Sequence, residues 1–260
     1  MSMTDPLDPD KIMASLNTTR IGRQVLVYSS TASTNDVAAE YARDKSNDGL
    51  TIFAEEQTAG RGRAANKWLS SRSDSILCSV LLTDCKINPE LISLTAAIAV
   101  AEAVGRPAGI KWPNDIILNA KKVAGILLES KTQGYGSAYI VGIGINCHQF
   151  GAFFPPELKS AATSIDIETR TTCDRISLAR RLLTCLDQWL QTAHNDSAGI
   201  IDRWRQLSIQ LGHRVALLYN GRKFTGNCIG IDPEKGLILQ LDTGGIRMFD
   251  AAHATMTSTA

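Results

Sequence analysis

A loop rich in glycine and arginine carries side chains suited to binding anions. It lies in residues 55–68 (EEQTAGRGRAANKW), where two glycines alternate with Arg61 and Arg63. Glycine lets the backbone approach a ligand closely, and guanidinium groups bind carboxylate and phosphate oxygens while they stay charged at any working pH. Trp68 can anchor this loop or stack on a base ring. Taken alone, a stretch of this kind is more often a solvated basic turn.

A second polar group lies where one predicted strand ends and another begins. Lys111 and Asp115 are the first and last residues of the stretch KWPND, and Lys122 is the first residue of the stretch KVAGILLE. An ammonium group can neutralise phosphate charge, while a carboxylate can hold a ribose hydroxyl or a magnesium ion. The small Gly125 after Lys122 is typical of a strand that a ligand crosses closely. A plain turn and a lysine at a hairpin end explain the same residues about equally well.

Other motifs are weaker or exclude a class of protein. The triplet Ser33, Thr34 and Asn35 precedes a helical pattern, and a helix cap is its commoner role. Residues 142–146 (GIGIN) contain a single GxG inside a predicted strand, which excludes a dinucleotide fingerprint. The sequence has no P-loop and no GxSxG elbow, and Cys147-His148 has no second ligand pair to suggest zinc.

Composition narrows the choice further. Lys and Arg number 27 against 26 Asp and Glu, and a net charge of +1 argues against a protein built mainly to hold nucleic acid. Apolar residues make up 44% of the chain, enough for a proper core, and no apolar run approaches the roughly 18 residues of a membrane span. The acidic N-terminus is no signal peptide, and six scattered cysteines fit a reducing cytosol. We therefore predict a cytoplasmic protein that binds neither nucleic acid nor membranes.

The elements that must position the polar residues alternate in type. Apolar periodicity predicts strands, a helix that begins at Ser33, and a long, largely buried helix that begins at Pro89. The predicted strands cover residues 24–28, 50–55 and 75–82, followed by an antiparallel meander over 109–112, 116–118, 123–129 and 138–146. Two further helices are expected, one carrying the apolar spacing from Ile176 to Leu190 and one over residues 200–207.

The character of the chain changes near residue 208. Four short strands joined by turns rich in glycine follow, which is the pattern of a small β-barrel. We predict an α+β protein with a mixed or antiparallel sheet and flanking helices. Its parts are a poorly ordered segment over 1–22, a main domain over 23–208 and a small all-β domain over 209–260.

The order and spacing of these motifs resemble the biotin protein ligases. STN, EEQTAGRGR with Trp68, KWPND, KKVAGILLE and VGIGIN occur in the family's order, densely from about residue 28 to residue 146. The resemblance implies a class II synthetase-like catalytic domain that binds biotin and ATP, followed by an SH3-like barrel. Too few residues precede the first strand for a helix-turn-helix, so the monofunctional type without a DNA-binding domain is expected.

The resemblance also implies roles for individual residues. Biotin would be bound by Ser33, Thr34, Asn35, Gln57, Arg61, Gly62, Arg63, Lys122 and Gly125. ATP and the adenylate would be bound by Arg63, Trp68, Lys111, Asn114, Asp115 and Asn146. Arg63, Lys111 and Lys122 would act in catalysis, and Asp115 would help to hold Mg²⁺.

The implied reaction joins biotin to a lysine of a biotin carboxyl-carrier protein. ATP first converts the biotin carboxylate into biotinyl-5′-adenylate, and the lysine amine then displaces AMP. The cations Arg63, Lys111, Lys122 and Mg²⁺ would bring two anions together. Relatives often pair through the central sheet, so a homodimer is possible in which residues 138–146 would offer an edge strand.

Two departures from the family pattern concern the loop and the C-terminus. Ala65 and Asn66 stand where the family has a further glycine and arginine, which leaves adenylate retention open. Residues 250–256 lack the family's usual closing arginine, so it also stays open whether the C-terminal domain contacts the active site. A lipoate–protein ligase and a non-catalytic relative that senses biotin are the alternative interpretations.

Overall fold

A computed structural model describes residues 6–83, 85–133 and 136–257. The helices are α1 (Pro9–Met13), α2 (Thr34–Tyr41), α3 (Pro89–Val104), α4 (Ile165–Thr169), α5 (Arg175–Asn195) and α6 (Ser197–Leu207). The strands are β1 (Val25–Tyr28), β2 (Thr51–Ala54), β3 (Ser75–Leu82), β4 (Gly109–Lys111), β5 (Asp115–Leu118), β6 (Lys121–Gln133), β7 (Gly136–Asn146), β8 (Arg214–Tyr219), β9 (Arg222–Asp232), β10 (Gly236–Leu241), β11 (Ile246–Phe249) and β12 (Ala254–Thr257).

The main sheet has seven strands in the order β1-β2-β3-β7-β6-β5-β4. Strands β1 and β2 are parallel and every other neighbouring pair is antiparallel, which makes the sheet mixed. The predicted meander is confirmed as β4 to β7. The predicted α+β architecture, a mixed sheet with flanking helices, is therefore confirmed.

The two faces of this sheet are covered unequally. Apolar side chains of α3, α5 and α6 pack with residues such as Cys78 and Val80 of β3 into one large core. On the opposite face the short α2 packs through Val37 and Ala38. Because α2 has eight residues and lies over β2, β3 and β7, it leaves the rest of that face open. A cavity can therefore form beside the N-terminal end of α2.

Helix α3 illustrates how the sequence determines these elements. Asn88 caps it by accepting a hydrogen bond from the Leu91 N–H at 2.8 Å, and Pro89 occupies the first turn. Proline costs little there because its missing N–H would have no helical partner. Most of the helix is buried, as expected for a sequence that is apolar nearly all round.

The N-terminal segment makes specific contacts with the rest of the chain. Ile12 of α1 is fully buried, and Asp187 of α5 accepts backbone N–H groups of Thr19, Arg20 and Ile21 at 2.8–2.9 Å. A carboxylate far away in sequence thus satisfies this stretch of backbone, while poor order of residues 1–22 stays a prediction. Residues 1–5 lie outside the described part of the chain.

The C-terminal region forms a five-stranded antiparallel sheet in the order β11-β10-β9-β8-β12. Four of these strands were predicted, and β12 was missed. The predicted domain boundary at residue 208 falls between the end of α6 and the start of β8. The connecting segment is fastened to the main sheet, because the Ile209 N–H donates to the Ile110 carbonyl at 3.0 Å.

One expectation about the sheet is wrong. Residues 138–146 belong to β7, which pairs with β3 on one side and with β6 on the other, so they offer no edge strand. The edges of the main sheet are β1 and β4. Within the described residues, we find no helix with the length and apolar character needed to cross a bilayer.

Candidate functional site

The sequence-predicted residues meet in a cavity of about 200 Å³ on the sheet face that α2 leaves open. The lining comes from α2, the glycine- and arginine-rich loop, strands β3 to β7 and the C-terminal strand β12. The predicted residues that line it are Ser33, Thr34, Asn35, Gln57, Arg61, Gly62, Arg63, Trp68, Lys111, Asn114, Asp115, Lys122 and Gly125. Asn146 is the exception among the predicted residues.

The floor of the cavity is a hydrogen-bonded network of uncharged side chains that ends on the Glu129 carboxylate. The Thr34 N–H and hydroxyl donate to Gln57 Oε1 at 2.7 and 3.0 Å. Ser79 Oγ lies 2.7 Å from Thr34 Oγ1 and 2.6 Å from Asn35 Oδ1. The Asn35 amide donates to Glu129 at 2.8 Å. Because these partners hold one another, the donors and acceptors of the floor are preorganised rather than mobile.

The triplet at the start of α2 therefore does more than cap a helix. Ser33 occupies the N-cap position, but its side chain makes no capping hydrogen bond. All three residues, Ser33, Thr34 and Asn35, are buried although they are polar. The commoner interpretation of the triplet, a simple cap, does not describe this geometry.

Glycines form the surface on which the network and the loop rest. A Cβ added at Gly144 would lie 2.5 Å from the Trp68 indole, and one at Gly125 would lie 3.0 Å from it. A Cβ at Gly142 would collide with the Asn35 side chain. Alternate glycines of β7 thus let Trp68 and Asn35 approach the strand backbone closely.

Cationic side chains stand at the other end of the cavity. Lys122 Nζ lies 2.5 Å from Asp115 Oδ1 and 5.8 Å from the centre of a Trp68 ring. Lys111 ends β4, directly opposite Asp115 in the β4–β5 register. Two lysines and the Asp115 carboxylate therefore lie together at this end of the cavity.

Arg61 is held by carboxylates at the rim. Its guanidinium donates two hydrogen bonds to Asp36, both at 2.7 Å, and lies 3.4 Å from Glu129. The hydrogen bond from Arg61 lowers the pKa of Asp36, and the same bond raises the pKa of Arg61. This pairing places Arg61 beside the floor network, since Glu129 also accepts from Asn35.

Arg63 reaches in the opposite direction, towards the C-terminal sheet. Its guanidinium donates to the carbonyls of Ala251 and Ala254, the latter at 3.0 Å, and to Asn114 Oδ1 at 3.3 Å. Burial lowers the pKa of Arg63, although a guanidinium keeps its proton. The C-terminal region therefore does contact the site, a question that the sequence had left open.

The structure also separates residues that sequence reasoning had grouped or missed. Asn146 does not line the cavity, and its amide instead donates to the Thr163 carbonyl at 2.9 Å. Ser79 and Gly144 were missed, although a serine within an apolar strand and two glycines within another were signals of close approach. Thr255 and Met256 also line the cavity, and no local motif pointed to them.

Comparison with known proteins gives a consistent picture. Residues 27–146 match the biotin/lipoate A/B protein ligase family. A biotin–[acetyl-CoA-carboxylase] ligase of Mycobacterium tuberculosis is 33% identical over 94% of this chain and 95% of its own length. A bifunctional ligase/repressor of Bacillus subtilis is 31% identical over 94% of this chain and 78% of its own.

A solved structure of similar architecture extends the comparison. The biotin protein ligase of Aquifex aeolicus in complex with biotin and ATP superposes with a TM-score of 0.78 at 27% identity. The match covers 91% of this chain and 100% of that protein. The likeness therefore spans both the main sheet and the C-terminal region.

Proposed function

The chain belongs to the biotin protein ligase family, and we propose on this premise that it activates biotin with ATP and transfers it to a protein lysine. The acceptor in this proposal is a lysine of a biotin carboxyl-carrier protein. Support comes from the relatives named as biotin ligases and from the similar protein that binds biotin and ATP.

One feature of the cavity carries the proposal: neutral hydrogen-bonding side chains form the floor at one end, and Lys111 and Lys122 lie at the other. Biotin has a neutral ureido ring, an apolar chain and a terminal carboxylate. The ring suits the floor network of Thr34, Asn35 and Gln57, which presents neutral donors and acceptors. The carboxylate would then point towards Lys122, where it meets the incoming phosphate.

The proposed chemistry proceeds in two steps without a covalent enzyme intermediate. A biotin carboxylate oxygen attacks the α-phosphorus of ATP, the bond to the β-phosphate oxygen breaks, and pyrophosphate leaves. The lysine amine of the carrier then attacks the acyl carbon and expels AMP, and the nitrogen loses a proton. Both steps depend on bringing anions together, for which Lys111, Lys122 and Arg63 supply positive charge.

The remaining roles follow the position of each residue. Ser33 and Gly125 would border biotin, and Arg61 with Gly62 would cover it from the loop. Trp68, which lies over Gly125 and Gly144, would pack beside the adenine or make room for it. Asn114 borders the same end of the cavity as Arg63, while a nucleotide contact by Asn146 stays a prediction.

Asp115 is the carboxylate proposed to help hold Mg²⁺. Magnesium is commonly bound by one or two carboxylates together with substrate phosphates, and Asp115 lies at the cationic end where those phosphates would be. In this structure its partner is Lys122. The ion would neutralise phosphate charge when bound, and Lys122 would turn to the substrate oxygens.

A lipoate–protein ligase is the alternative within the same family. The dithiolane ring of lipoate has no strong hydrogen-bonding group. Lipoate would therefore form no hydrogen bonds to replace those that the floor residues give up when they turn towards a ligand. A non-catalytic relative that senses biotin would bind biotin without forming the adenylate. The SH3-like closure of the C-terminal sheet, a homodimer and a cytoplasmic location likewise stay predictions.

Biotin-dependent ATP–pyrophosphate exchange tests the first step, with lipoate as the matched acid. A carrier domain incubated with the protein, ATP and biotin should then gain one biotinyl group on one lysine, as measured by mass spectrometry. A carrier variant with that lysine replaced by arginine is the control. Exchange driven by lipoate and not by biotin, or exchange with neither acid, would contradict the proposal.

A further inference from the structure

The turn between β11 and β12, residues 250–254, links the loop to the rest of the molecule. We call it the C-terminal turn. Two of its backbone carbonyls, those of Ala251 and Ala254, accept hydrogen bonds from the Arg63 guanidinium. These residues lie far from Arg63 in sequence, so the loop is closed by a contact that only tertiary structure provides.

The C-terminal turn is itself held from two sides. The Ala251 N–H donates to Glu90 Oε1 at 2.6 Å, and Glu90 lies in the first turn of α3. On the other side, the Tyr219 hydroxyl donates to Asp250 Oδ2 at 2.5 Å. Helix α3 and strand β8 thus fix the direction in which the carbonyls of the turn point.

Glu90 and Arg63 act on opposite sides of the same residue. Ala251 donates its N–H to the carboxylate and offers its C=O to the guanidinium. Hydrogen bonds to charged groups are the stronger ones, so each bond helps to keep Ala251 in place for the other. Glu90 does not line the cavity that holds the floor network and the lysines.

We propose that Glu90 is a positioning residue. It holds the C-terminal turn in the orientation in which the carbonyls of Ala251 and Ala254 accept hydrogen bonds from Arg63, and this contact keeps the loop closed. Glu90 then governs how well the activated intermediate is retained, although it does not line the cavity that holds the floor network and the lysines. The inference about retention rests on the proposed function, whereas the inference about loop closure does not. The two are tested separately.

Limited digestion with trypsin tests loop closure without any substrate. Glu90→Ala removes the acceptor of the Ala251 N–H, and cleavage after Arg61 and Arg63 should become about fivefold faster, the effect of one lost hydrogen bond. Glu90→Gln retains an acceptor oxygen and should stay near wild type. Glu157→Ala, at an exposed glutamate outside this contact, is the control for the loss of charge.

Retention is measured as biotinylation of serum albumin mixed with the protein, ATP and biotin. Glu90→Ala should label albumin about fivefold more than wild type, while biotin-dependent pyrophosphate exchange changes less than about twofold. In Arg63→Ala, the further change Glu90→Ala should add nothing, because Glu90 acts through Arg63. A residue needed only for folding would instead lower exchange and retention together.

Tyr219→Phe provides a second route to the same turn if Glu90→Ala does not fold. It should raise cleavage and albumin labelling in the same direction. Wild-type cleavage rates in both Glu90→Ala and Tyr219→Phe, or additive effects of Glu90→Ala and Arg63→Ala, would overturn the proposal. If the wild-type protein shows no biotin-dependent exchange, the proposed function fails. The trypsin result still decides whether Glu90 controls closure of the loop.

Discussion

Two arginine–carboxylate pairs in this protein have similar distances and very different surroundings. Arg175 Nη1 lies 2.9 Å from Glu55 Oε2 behind the main sheet, and the two side chains are 0% and 9% exposed. Arg61 lies 2.7 Å from Asp36 at the rim of the cavity, with side chains 39% and 51% exposed. The buried pair is tied further, since Arg175 also donates to the Ser75 carbonyl.

The difference separates fixed architecture from parts that a ligand can rearrange. Breaking a buried pair leaves a charge without solvent or partner, whereas an exposed pair exchanges its partner for water at little cost. Arg175 and Glu55 therefore belong to the fold. We expect Arg61 to exchange Asp36 for oxygen atoms of a substrate when one binds. Intermediate exposure should give intermediate behaviour, which the following changes test.

The largest effect is expected at the buried pair. Arg175→Ala leaves the Glu55 carboxylate buried without its guanidinium and should lower the free energy of unfolding by about 3–5 kcal/mol. Urea denaturation measures it. Arg205→Ala, which removes an exposed pair with Asp202, is the matched control and should change stability by less than about 0.5 kcal/mol. Equal losses in both variants would remove the distinction between the pairs.

Lys122 and Asp115 form a pair of intermediate exposure, 35% and 26%. Lys122→Ala should retain the fold and lose about 2–4 kcal/mol of transition-state stabilisation in adenylation, because a charge-assisted contact to the carboxylate or phosphate disappears. Biotin-dependent pyrophosphate exchange measures the loss. Lys121→Ala, at the neighbouring lysine outside the cavity, should stay near wild type. Near-normal exchange in Lys122→Ala would remove Lys122 from the chemistry.

Arg63 is bound to carbonyls and an amide instead of a carboxylate. In the proposed function Lys111 and Lys122 share the phosphate charge, so Arg63→Ala should still form adenylate but release it, and albumin labelling should rise about tenfold. Arg72→Ala, at an exposed arginine outside the cavity, is the control. The opposite pattern, with adenylation largely abolished and albumin labelled no more than by wild type, would assign Arg63 to the chemistry.

The smallest effect is expected at the exposed pair. Asp36→Asn should lower the free energy of unfolding by about 0–1 kcal/mol at neutral pH. The hydrogen bond from Arg61 lowers the pKa of Asp36, so this contribution is present above the ordinary carboxyl pKa and is lost as pH falls through the folded value. The two proteins should therefore approach equal stability once the pH has fallen below the folded pKa of Asp36. If the difference in stability between wild type and Asp36→Asn grew on acidification, the Asp36–Arg61 pair would not be its source.

Local patterns predicted much of the fold and the site. The meander, the capped helix α3 and the strands of the C-terminal sheet follow from apolar periodicity and turn residues, which are properties of neighbouring positions. Thirteen of the fourteen site residues that the family resemblance implied line the cavity, because their motifs lie on elements that meet on one face of the sheet. Asn146 does not line it.

What escaped prediction depends on partners distant in sequence. The backbone of residues 19–21 is bound by Asp187, and the loop is held by the carbonyls of Ala251 and Ala254. Almost every residue has the same backbone N–H and C=O groups, so no sequence motif predicts which of them will form such contacts. Ser79 was not predicted because its role depends on hydrogen bonds to Thr34 and Asn35, which are distant in sequence.

The position of the cavity on the sheet has a consequence for the order of folding. Strand β3 ends the first part of the sheet and β7 ends the meander, and their pairing joins Ser75 to Asn146 and Leu82 to Tyr139. This seam spans more of the chain than any other pairing within the main sheet, so its formation carries the greatest loop-closure entropy and should come late. Ser79, Gly142 and Gly144 lie on the seam. The ability to bind ligand should therefore appear only when the two halves of the sheet have joined, which makes binding a late kinetic marker of refolding.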